Sequence, residues 1–432
     1  MAAETLLRGR VLRFVSEPKA PDDHGSYLFD EDGGVLIKDG KVKACGAFAS
    51  LRATAPDATL IDHRPHLILP GFIDTHLHFV QMQVIASWGA QLLDWLNNYT
   101  FPAETEFSDP AHGARIADAF FDEMLRHGTT TPVAYCSSHP QSAEAYFTAA
   151  AARNMRVIGG KVMMDRNAPP ALCDTAQRGH DETEALVARW HGKGRAEVAI
   201  TPRFAITSTP EQLEAAGALA RAHPTCPVQT HLSENHDEIS STLGLYPKAK
   251  DYLDIYHSYG LLGPRSLMGH SIHLSPREMG VMAETGAVAV FCPTSNLFLG
   301  SGLYNEAGLA EAGVRRAIAT DIGGGTNYSM LRTLDEGYKV LALRGQKLTA
   351  LKAFYWITLG NARALGLEDK IGTLAPGSEA DITVLNPAAT PAMALRHARV
   401  ETLAEELFLL QVLGDDRAVV ETYAAGVARK PG

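Results

Sequence analysis

Eight short apolar or β-branched segments recur along the middle of the chain, between residues 70 and 325. Stretches of helical composition separate them, such as ARIADAFFDEMLRHG and PEQLEAAGALARAH. Alternating strand and helix signals predict βαβ units with parallel strands, and eight such units predict a closed (β/α)8 TIM barrel. We therefore expect an α/β fold whose chemistry lies at the carboxyl ends of the barrel strands.

The two ends of the chain resemble β structure rather than further βαβ units. Near the N-terminus is the segment VLIKDGKVKACG, in which strand-like residues stand on both sides of an Asp-Gly turn signal. This pattern predicts a hairpin. Near the C-terminus, GTLAPGSEADITVLN and VVETYAAGVARK are also strand-like. We expect residues 1–69 and 372–432 to pair into one small β domain beside a barrel formed by residues 70–371.

The first strand-to-helix connection, within residues 79–127, is unusually long. It contains QLLDWLNNYTFPAE, which mixes aromatic and apolar residues. Long connections at the mouth of a barrel usually cover or shape the site there. This segment is therefore predicted to contribute to the wall of the site.

Histidine and carboxylate residues stand at or just after the ends of several apolar segments. The first segment ends in His76 and His78, and residues two apart in a strand point the same way, so both imidazoles can reach one metal ion. With 17 histidines in 432 residues, chance alone gives about 0.7 such pairs, so the pair needs support from elsewhere. His231, His270 and Asp321 follow later segments and supply that support. The pattern predicts a metal-dependent hydrolase.

A combination of three imidazoles and one carboxylate, drawn from these histidines and the aspartate, would be a ligand set that suits zinc. Iron or another divalent ion is the alternative. Such an ion lowers the pKa of bound water from about 15.7 to about 7 and supplies hydroxide at neutral pH. Glu234 follows His231 by three residues and is placed to deliver a proton to a ring nitrogen and to a leaving group. Asp321 can accept a proton from the water, and His270 can orient or polarise the attacked centre.

The placement of these histidines and of the final aspartate resembles the amidohydrolase superfamily. Longer strings are similar to the guanine deaminase family within it, from residue 30 onward, among them PGFIDTHLHFVQ, GKVMMDRNAP, THLSENHDEI, FCPTSNLFLGSGL and TDIGGGTNYSML. The resemblance implies hydrolytic deamination of guanine to xanthine and ammonia in purine catabolism. It also implies one zinc ion, held by His76, His78, His231 and Asp321.

The resemblance further implies roles for residues around the metal. Glu234 is expected to be the proton shuttle, and His270 is expected to touch the reacting group of the substrate. Gln81, Arg203 and Phe204 are implied as purine-recognition residues. Their chemistry suits guanine, since its C6 carbonyl accepts from a charged donor, its ring nitrogens pair with an amide, and its ring packs on an aromatic face.

Each assignment has a structural alternative. Asp321 could cap the glycine-rich turn that follows it, and Glu234 could favour the start of a helix by its charge. Arg203 could form a salt bridge at a strand end, and Phe204 could be part of the core. The closest alternative function is deamination of a related heterocycle such as 8-oxoguanine, a pterin or a triazine. An alternative from another class is a non-catalytic protein that keeps the barrel as a scaffold.

Composition limits the expected partners and location. The formal net charge is -10 and the sequence has no Lys/Arg-rich run, so the charge pattern does not indicate binding to nucleic acid or to an anionic membrane. Five cysteines, far apart and odd in number, indicate neither a zinc ribbon nor a disulfide framework, and no segment is long and apolar enough to export or anchor the chain. We expect a small-molecule substrate and a cytoplasmic location. The resemblance and the frequency of symmetric association suggest a homodimer.

Overall fold

The computed structural model describes residues 4–89 and 92–432. The strands in this part of the chain are β1 (Thr5–Phe14), β2 (Tyr27–Lys38), β3 (Lys41–Ala47), β4 (Thr59–Pro70), β5 (Phe72–His78), β6 (Thr129–Tyr135), β7 (Val157–Gly160), β8 (Val162–Met163), β9 (Ala196–Val198), β10 (Thr201–Pro202), β11 (Val228–Leu232), β12 (Ser266–His270), β13 (Val288–Phe291), β14 (Arg315–Ile318), β15 (Ile382–Leu385), β16 (Val419–Ala424) and β17 (Val427–Ala428).

Helices alternate with the strands of the middle region. They are α1 (Phe48–Thr54), α2 (Leu92–Trp95), α3 (Phe101–Thr105), α4 (Pro110–Arg126), α5 (Pro140–Arg153), α6 (Ala176–Trp190), α7 (Pro210–Ala222), α8 (His236–Leu245), α9 (Tyr252–Ser258), α10 (Pro276–Thr285), α11 (Pro293–Phe298), α12 (Glu306–Glu311), α13 (Met330–Leu343), α14 (Ala350–Tyr355), α15 (Asn361–Leu365), α16 (Pro391–His397) and α17 (Leu403–Leu413). Two π-helical turns, Leu96–Thr100 and Trp356–Gly360, follow α2 and α14 directly. Among the helices described, none has the length and apolar character needed to cross a membrane.

The outer sheet pairs strands from both ends of the chain, as the sequence predicts. Its order is β17-β16-β15-β4-β1-β2-β3. β4 joins the two ends, because it pairs in parallel with β1 and antiparallel with β15. The predicted hairpin turns at Asp39 and Gly40, whose φ angles of 52° and 74° suit a two-residue turn between antiparallel strands. The division of the chain after residues 69 and 371 stays a prediction.

The barrel strands coincide with the eight apolar segments of the sequence. β5, β6, β7 and β9 pair in parallel as one half of the barrel, and β11 to β14 pair in parallel as the other. A parallel bridge between Ile200 and Val228 joins the two halves on one side. Every residue of β5, β6, β12 and β13 is buried, as expected for strands with packed side chains on both faces. The predicted fold class is confirmed.

The barrel closes where the last strand meets the first. The backbone N–H of Asp321 donates to the carbonyl of His76 over 2.9 Å, and the N–H of His78 donates to the carbonyl of Ile322 over 2.7 Å. These bonds lie just beyond β14 and at the carboxyl end of β5. Closure therefore brings two sequence motifs together that are more than 240 residues apart.

Apolar side chains fill the barrel beneath this edge. One cluster contains buried residues from both halves of the barrel, among them Ile73, Val133, Ile158, Leu267 and Val288. Side chains from opposite strands can share a cluster only inside the barrel, so these residues form its interior. The carboxyl ends of the strands are left for the polar residues.

Asn361, at the start of α15, ties the first and last strands together from below. Its side chain is fully buried, and Nδ2 donates to the carbonyls of Ile73 and Ile318 while Oδ1 accepts from the Ile318 N–H. We expect Asn361→Ala to lower the free energy of unfolding by about 2–4 kcal/mol, because buried backbone groups lose their partners. Thermal and denaturant unfolding measure the change. The exposed Asn98→Ala is the control, and equal stability of both variants would contradict this role.

Candidate active site

Four possible metal-ligating atoms converge where β5, β11 and β14 end. Nε2 of His78 lies 3.1 Å from Nε2 of His231. Oδ1 of Asp321 lies 3.4 Å from Nε2 of His76 and 3.6 Å from Nε2 of His78. A tetrahedral zinc ion with bonds of about 2.0–2.1 Å places its ligand atoms about 3.3 Å apart. These three separations fit one ion of this kind.

The hydrogen bonding of the imidazoles supports the same interpretation. Both ring nitrogens of His76 and Nδ1 of His78 are buried without a hydrogen-bond partner among the described residues. Nδ1 of His231 lies 2.7 Å from the carbonyl of Arg203, which can only accept, so His231 directs the lone pair of Nε2 into the cluster. Burial, reinforced by neighbouring imidazoles, holds the pKa of His78 and of His231 well below its usual range. Neutral imidazoles are the form that binds metal.

Local backbone geometry allows these side chains to meet. A Cβ atom at Gly269 in β12 would lie 2.6 Å from Cε1 of His76, so only glycine leaves room for that imidazole. His270, Ser271 and Asp321 have φ angles of 68°, 51° and 53°, in the left-handed region that residues other than glycine rarely adopt. Such conformations concentrate at functional sites, where the surrounding fold holds them in place.

Glu234 and His270 lie beside the four converging atoms. Oε2 of Glu234 is 3.3 Å from Nε2 of His270, and Oδ2 of Asp321 is 3.8 Å from the same nitrogen. Burial, together with the negative charges of Asp321 and Glu238, raises the pKa of Glu234 well above its usual range. A raised pKa favours the protonated form of a carboxyl group, and that form can act as a general acid. Burial lowers the pKa of His270 to about 3, which keeps its imidazole neutral.

Asn296 and Ser301, which follow β13, hold these two groups in place. Nδ2 of Asn296 donates to Nδ1 of His270 over 2.9 Å, and Oγ of Ser301 donates to Oε1 of Glu234 over 2.7 Å. Since Nδ1 of His270 accepts, the proton of the neutral ring lies on Nε2 and faces the carboxyl groups. Sequence reasoning gave neither residue a role, because its only signal was their membership of FCPTSNLFLGSGL.

The predicted purine-recognition residues line one cavity with the converging groups. Its lining residues are His78, Gln81, Leu92, Trp95, Leu96, Arg203, Phe204, His231, Glu234, His270, Leu299, Asp321 and Gly324. The apolar members offer surfaces for a flat ring, and the charged members offer hydrogen bonds to its edge. Every site residue predicted from the sequence is in this lining except His76, whose ring centroid lies 4.8 Å from that of His231.

The long first connection contributes to the wall of this cavity. Leu92, Trp95 and Leu96 come from α2 and the π-helical turn after it. Residues 90 and 91, also in this connection, lie outside the described residues. The prediction that the connection helps form the wall is confirmed for its described part.

Glu104, also in the long connection, binds two of the recognition residues. Its Oε1 accepts from Nε2 of Gln81 and from Nη1 of Arg203, both over 2.8 Å, and its Oε2 lies 3.0 Å from the same Nη1. All three side chains are buried, and Glu104 is 0% exposed. Arg203 therefore makes the salt bridge of the structural alternative and lines the cavity as well. Glu104 could not be assigned a role from the sequence, because a single acidic residue within an apolar segment forms no recognisable pattern.

Comparison with known proteins identifies the family. The model of the amidohydrolase family matches residues 67–428. This chain belongs to the amidohydrolase family.

Particular amidohydrolases are similar to this chain over almost its whole length. Guanine deaminase of Escherichia coli (strain K12) is 46% identical over 97% of this chain and 96% of that protein. The solved structure of E. coli guanine deaminase matches with a TM-score of 0.96 and 45% identity, covering 98% of this chain and 99% of that one. Guanine deaminase from C. acetobutylicum, with bound guanine in the active site, matches with a TM-score of 0.89 and 27% identity over 98% and 99% of the two chains. The resemblance found in the sequence is confirmed.

Removal of one converging imidazole should reduce metal binding. We expect His231→Ala to retain less than about a tenth of the metal content of the parent, because three remaining ligands hold an ion more weakly. Elemental analysis of the purified protein measures the content. The exposed His257→Ala should keep its metal, and full occupancy in His231→Ala would remove this residue from the ligand set.

Proposed function

We propose that this amidohydrolase is a guanine deaminase that converts guanine and water to xanthine and ammonia. The observation that carries the proposal is that Glu234, the proposed ligands His78, His231 and Asp321, and the recognition pair of Gln81 and Arg203 line one cavity. Similarity to guanine deaminases over nearly the full chain supports the same reaction. Because the reaction consumes guanine, its place is in purine catabolism.

We propose one zinc ion per chain, with iron or another divalent ion as the alternative. His76, His78, His231 and Asp321 would hold it, and three of the distances between their ligand atoms are 3.1–3.6 Å. When bound, such an ion makes water acidic enough to supply hydroxide at neutral pH. A second metal would need a bridging carboxylated lysine after the fourth barrel strand, where this chain has the sequence TPRF. The sequence there favours a single ion.

The lining of the cavity supports the following placement of the substrate. The guanidinium of Arg203 donates to the C6 oxygen of guanine, and the amide of Gln81 pairs with the edge of the ring. Phe204 packs against the purine together with the apolar side chains of the wall. This orientation directs C2 and its amino group toward Glu234 and His270.

The carboxyl groups transfer the protons of the reaction. Asp321 accepts a proton from the attacking water as the water oxygen bonds to C2, and Glu234 protonates N3. His270 orients the reacting group through its Nε2 proton. The bond from C2 to the amino nitrogen then breaks as the nitrogen takes up the proton held by Asp321, and ammonia leaves. The C2 hydroxyl group returns its proton to Glu234 as its C–O bond becomes the carbonyl of xanthine. Guanine and water thus become xanthine and ammonia with all atoms accounted for.

We also propose a cytoplasmic location and a homodimer. The location is supported by five cysteines that are all free. The dimer is supported by the prevalence of symmetric homo-oligomers and is tested by light scattering.

Incubation of zinc-loaded protein with guanine tests the proposed function. We expect equal amounts of ammonia and xanthine to form from guanine, with little ammonia released from 8-oxoguanine, adenine or cytosine in parallel. If guanine fails and another heterocycle loses ammonia, the catalytic groups are supported and the assignment of the recognition residues is wrong. If no substrate reacts while zinc is present, the proposed function is wrong.

Glu234→Gln should separate catalysis from metal binding. The amide cannot deliver the proton to N3, so we expect kcat to fall by at least about a hundredfold, while the zinc content stays at the parental level. Steady-state kinetics and elemental analysis measure the two quantities. Glu214→Gln, at an exposed position, should match the parent. Parental turnover by Glu234→Gln would show that this carboxyl group is not the acid.

A further inference from the structure

We propose that Glu104 determines substrate specificity as a positioning residue, by orienting Arg203 and Gln81 to recognise a ring lactam, that is, a carbonyl group next to an N–H. This inference rests on the proposed function and extends it to the choice of substrate. The inference depends on three features of the structure. Glu104 is buried, its carboxylate binds only one nitrogen of the Arg203 guanidinium, and its hydrogen bond with Gln81 fixes the orientation of that amide.

Glu104 is held rigidly at the edge of the cavity. It lies in α3, and its carboxylate is fully enclosed. Oγ of Ser137, after β6, donates to the backbone carbonyl of Glu104 over 3.0 Å and anchors this turn to the barrel. A side chain fixed by both packing and backbone bonding can set the position of the groups that bind it.

The contact with Arg203 leaves donors for a ligand. Glu104 engages Nη1 of Arg203, and the described residues provide no further hydrogen-bond acceptor for this side chain. Because a buried guanidinium needs a neighbouring negative charge, Glu104 keeps the pair neutral overall. The cavity therefore presents an N–H donor without a net positive charge. Such a donor suits a neutral carbonyl oxygen better than an anionic ring.

The contact with Gln81 decides which end of its amide faces the ligand. A carboxylate can only accept, so the Gln81 atom that meets Glu104 must be Nε2. Oε1 then points the other way, against Gly323, where a Cβ atom would lie 1.9 Å from it. Gly323 has a φ of 116° and leaves the space that this orientation needs. Gln81 lines the cavity and has Oε1 left to accept, while Arg203 offers a donor.

A donor beside an acceptor is complementary to a lactam edge. Guanine has such an edge at its C6 carbonyl and N1–H, whereas 2-aminopurine carries the same amino group at C2 but lacks both features. Both compounds can lose ammonia from C2, so the comparison changes recognition and keeps the leaving group. A site that hydrogen-bonds a substrate group discriminates strongly against an analogue without it.

The test compares Glu104→Gln with the parent on guanine and 2-aminopurine. The amide is nearly the same size but removes the charge, which leaves Arg203 unpaired and allows the amide of Gln81 to turn. We expect kcat/KM for guanine to fall at least about thirtyfold, mainly through KM, and that for 2-aminopurine to fall less than about threefold. The ratio of kcat/KM for guanine to kcat/KM for 2-aminopurine should therefore fall about tenfold. Glu106→Gln, two residues along at an exposed position, should leave both values unchanged.

A combined variant tests whether Glu104 acts through Arg203 and Gln81. Added to a protein that carries both Arg203→Ala and Gln81→Ala, the Glu104→Gln change should reduce kcat/KM for guanine by less than about threefold, because both positioned groups are already gone. A further loss as large as in the parent would overturn the proposal. An unchanged ratio between the two substrates in Glu104→Gln would also overturn it.

Measurements of stability separate positioning from a purely structural role. Melting temperature and zinc content are recorded for Glu104→Gln and for Glu104→Asp, which keeps the charge but withdraws the carboxylate by one methylene. If both variants lose activity only because they lose fold or metal, Glu104 is structural and the proposal is wrong. If the parent itself does not deaminate guanine, the proposed function fails and takes this inference with it. If the parent does so and only the ratio test fails, the proposed function stands alone.

Discussion

The pairing of the last barrel strand with the first is the interaction on which the site depends. Two backbone hydrogen bonds, from Asp321 to His76 and from His78 to Ile322, close the barrel. The same bonds set three of the four proposed ligands side by side. The backbone thus determines most of the ligand spacing before any ion binds, and only His231 must be positioned from elsewhere. Preorganised ligands of this kind bind metal without a large rearrangement of the protein.

Arg203 connects the metal-binding part of the cavity with the part that recognises the ring. Its backbone carbonyl fixes the tautomer of His231, and its side chain is held by Glu104. Gln81 lies three residues after His78, so the first strand also serves both parts. A change at the recognition side can therefore reach the ligand set through one residue.

The barrel and the converging ligands could be predicted from the sequence because both follow from repeating rules. Strand and helix signals alternate, and the carboxyl ends of parallel strands meet at one edge, so His76 and Asp321 could be placed together despite their separation. The sequence did not allow roles to be predicted for Glu104, Asn296 and Ser301, because each acts through contacts with residues far along the chain. A single polar residue in an apolar segment has no periodicity or spacing from which its role could be predicted. Only the fold shows what it touches.

We propose that one metal ion, held where the barrel closes, supports the deamination of guanine. The direct test is to titrate metal-free protein with zinc and follow xanthine formation from guanine. We expect activity to be almost absent without metal, to rise in proportion to added zinc and to stop rising at one ion per chain. Comparable activity in the metal-free protein, or a break at two ions per chain, would contradict it.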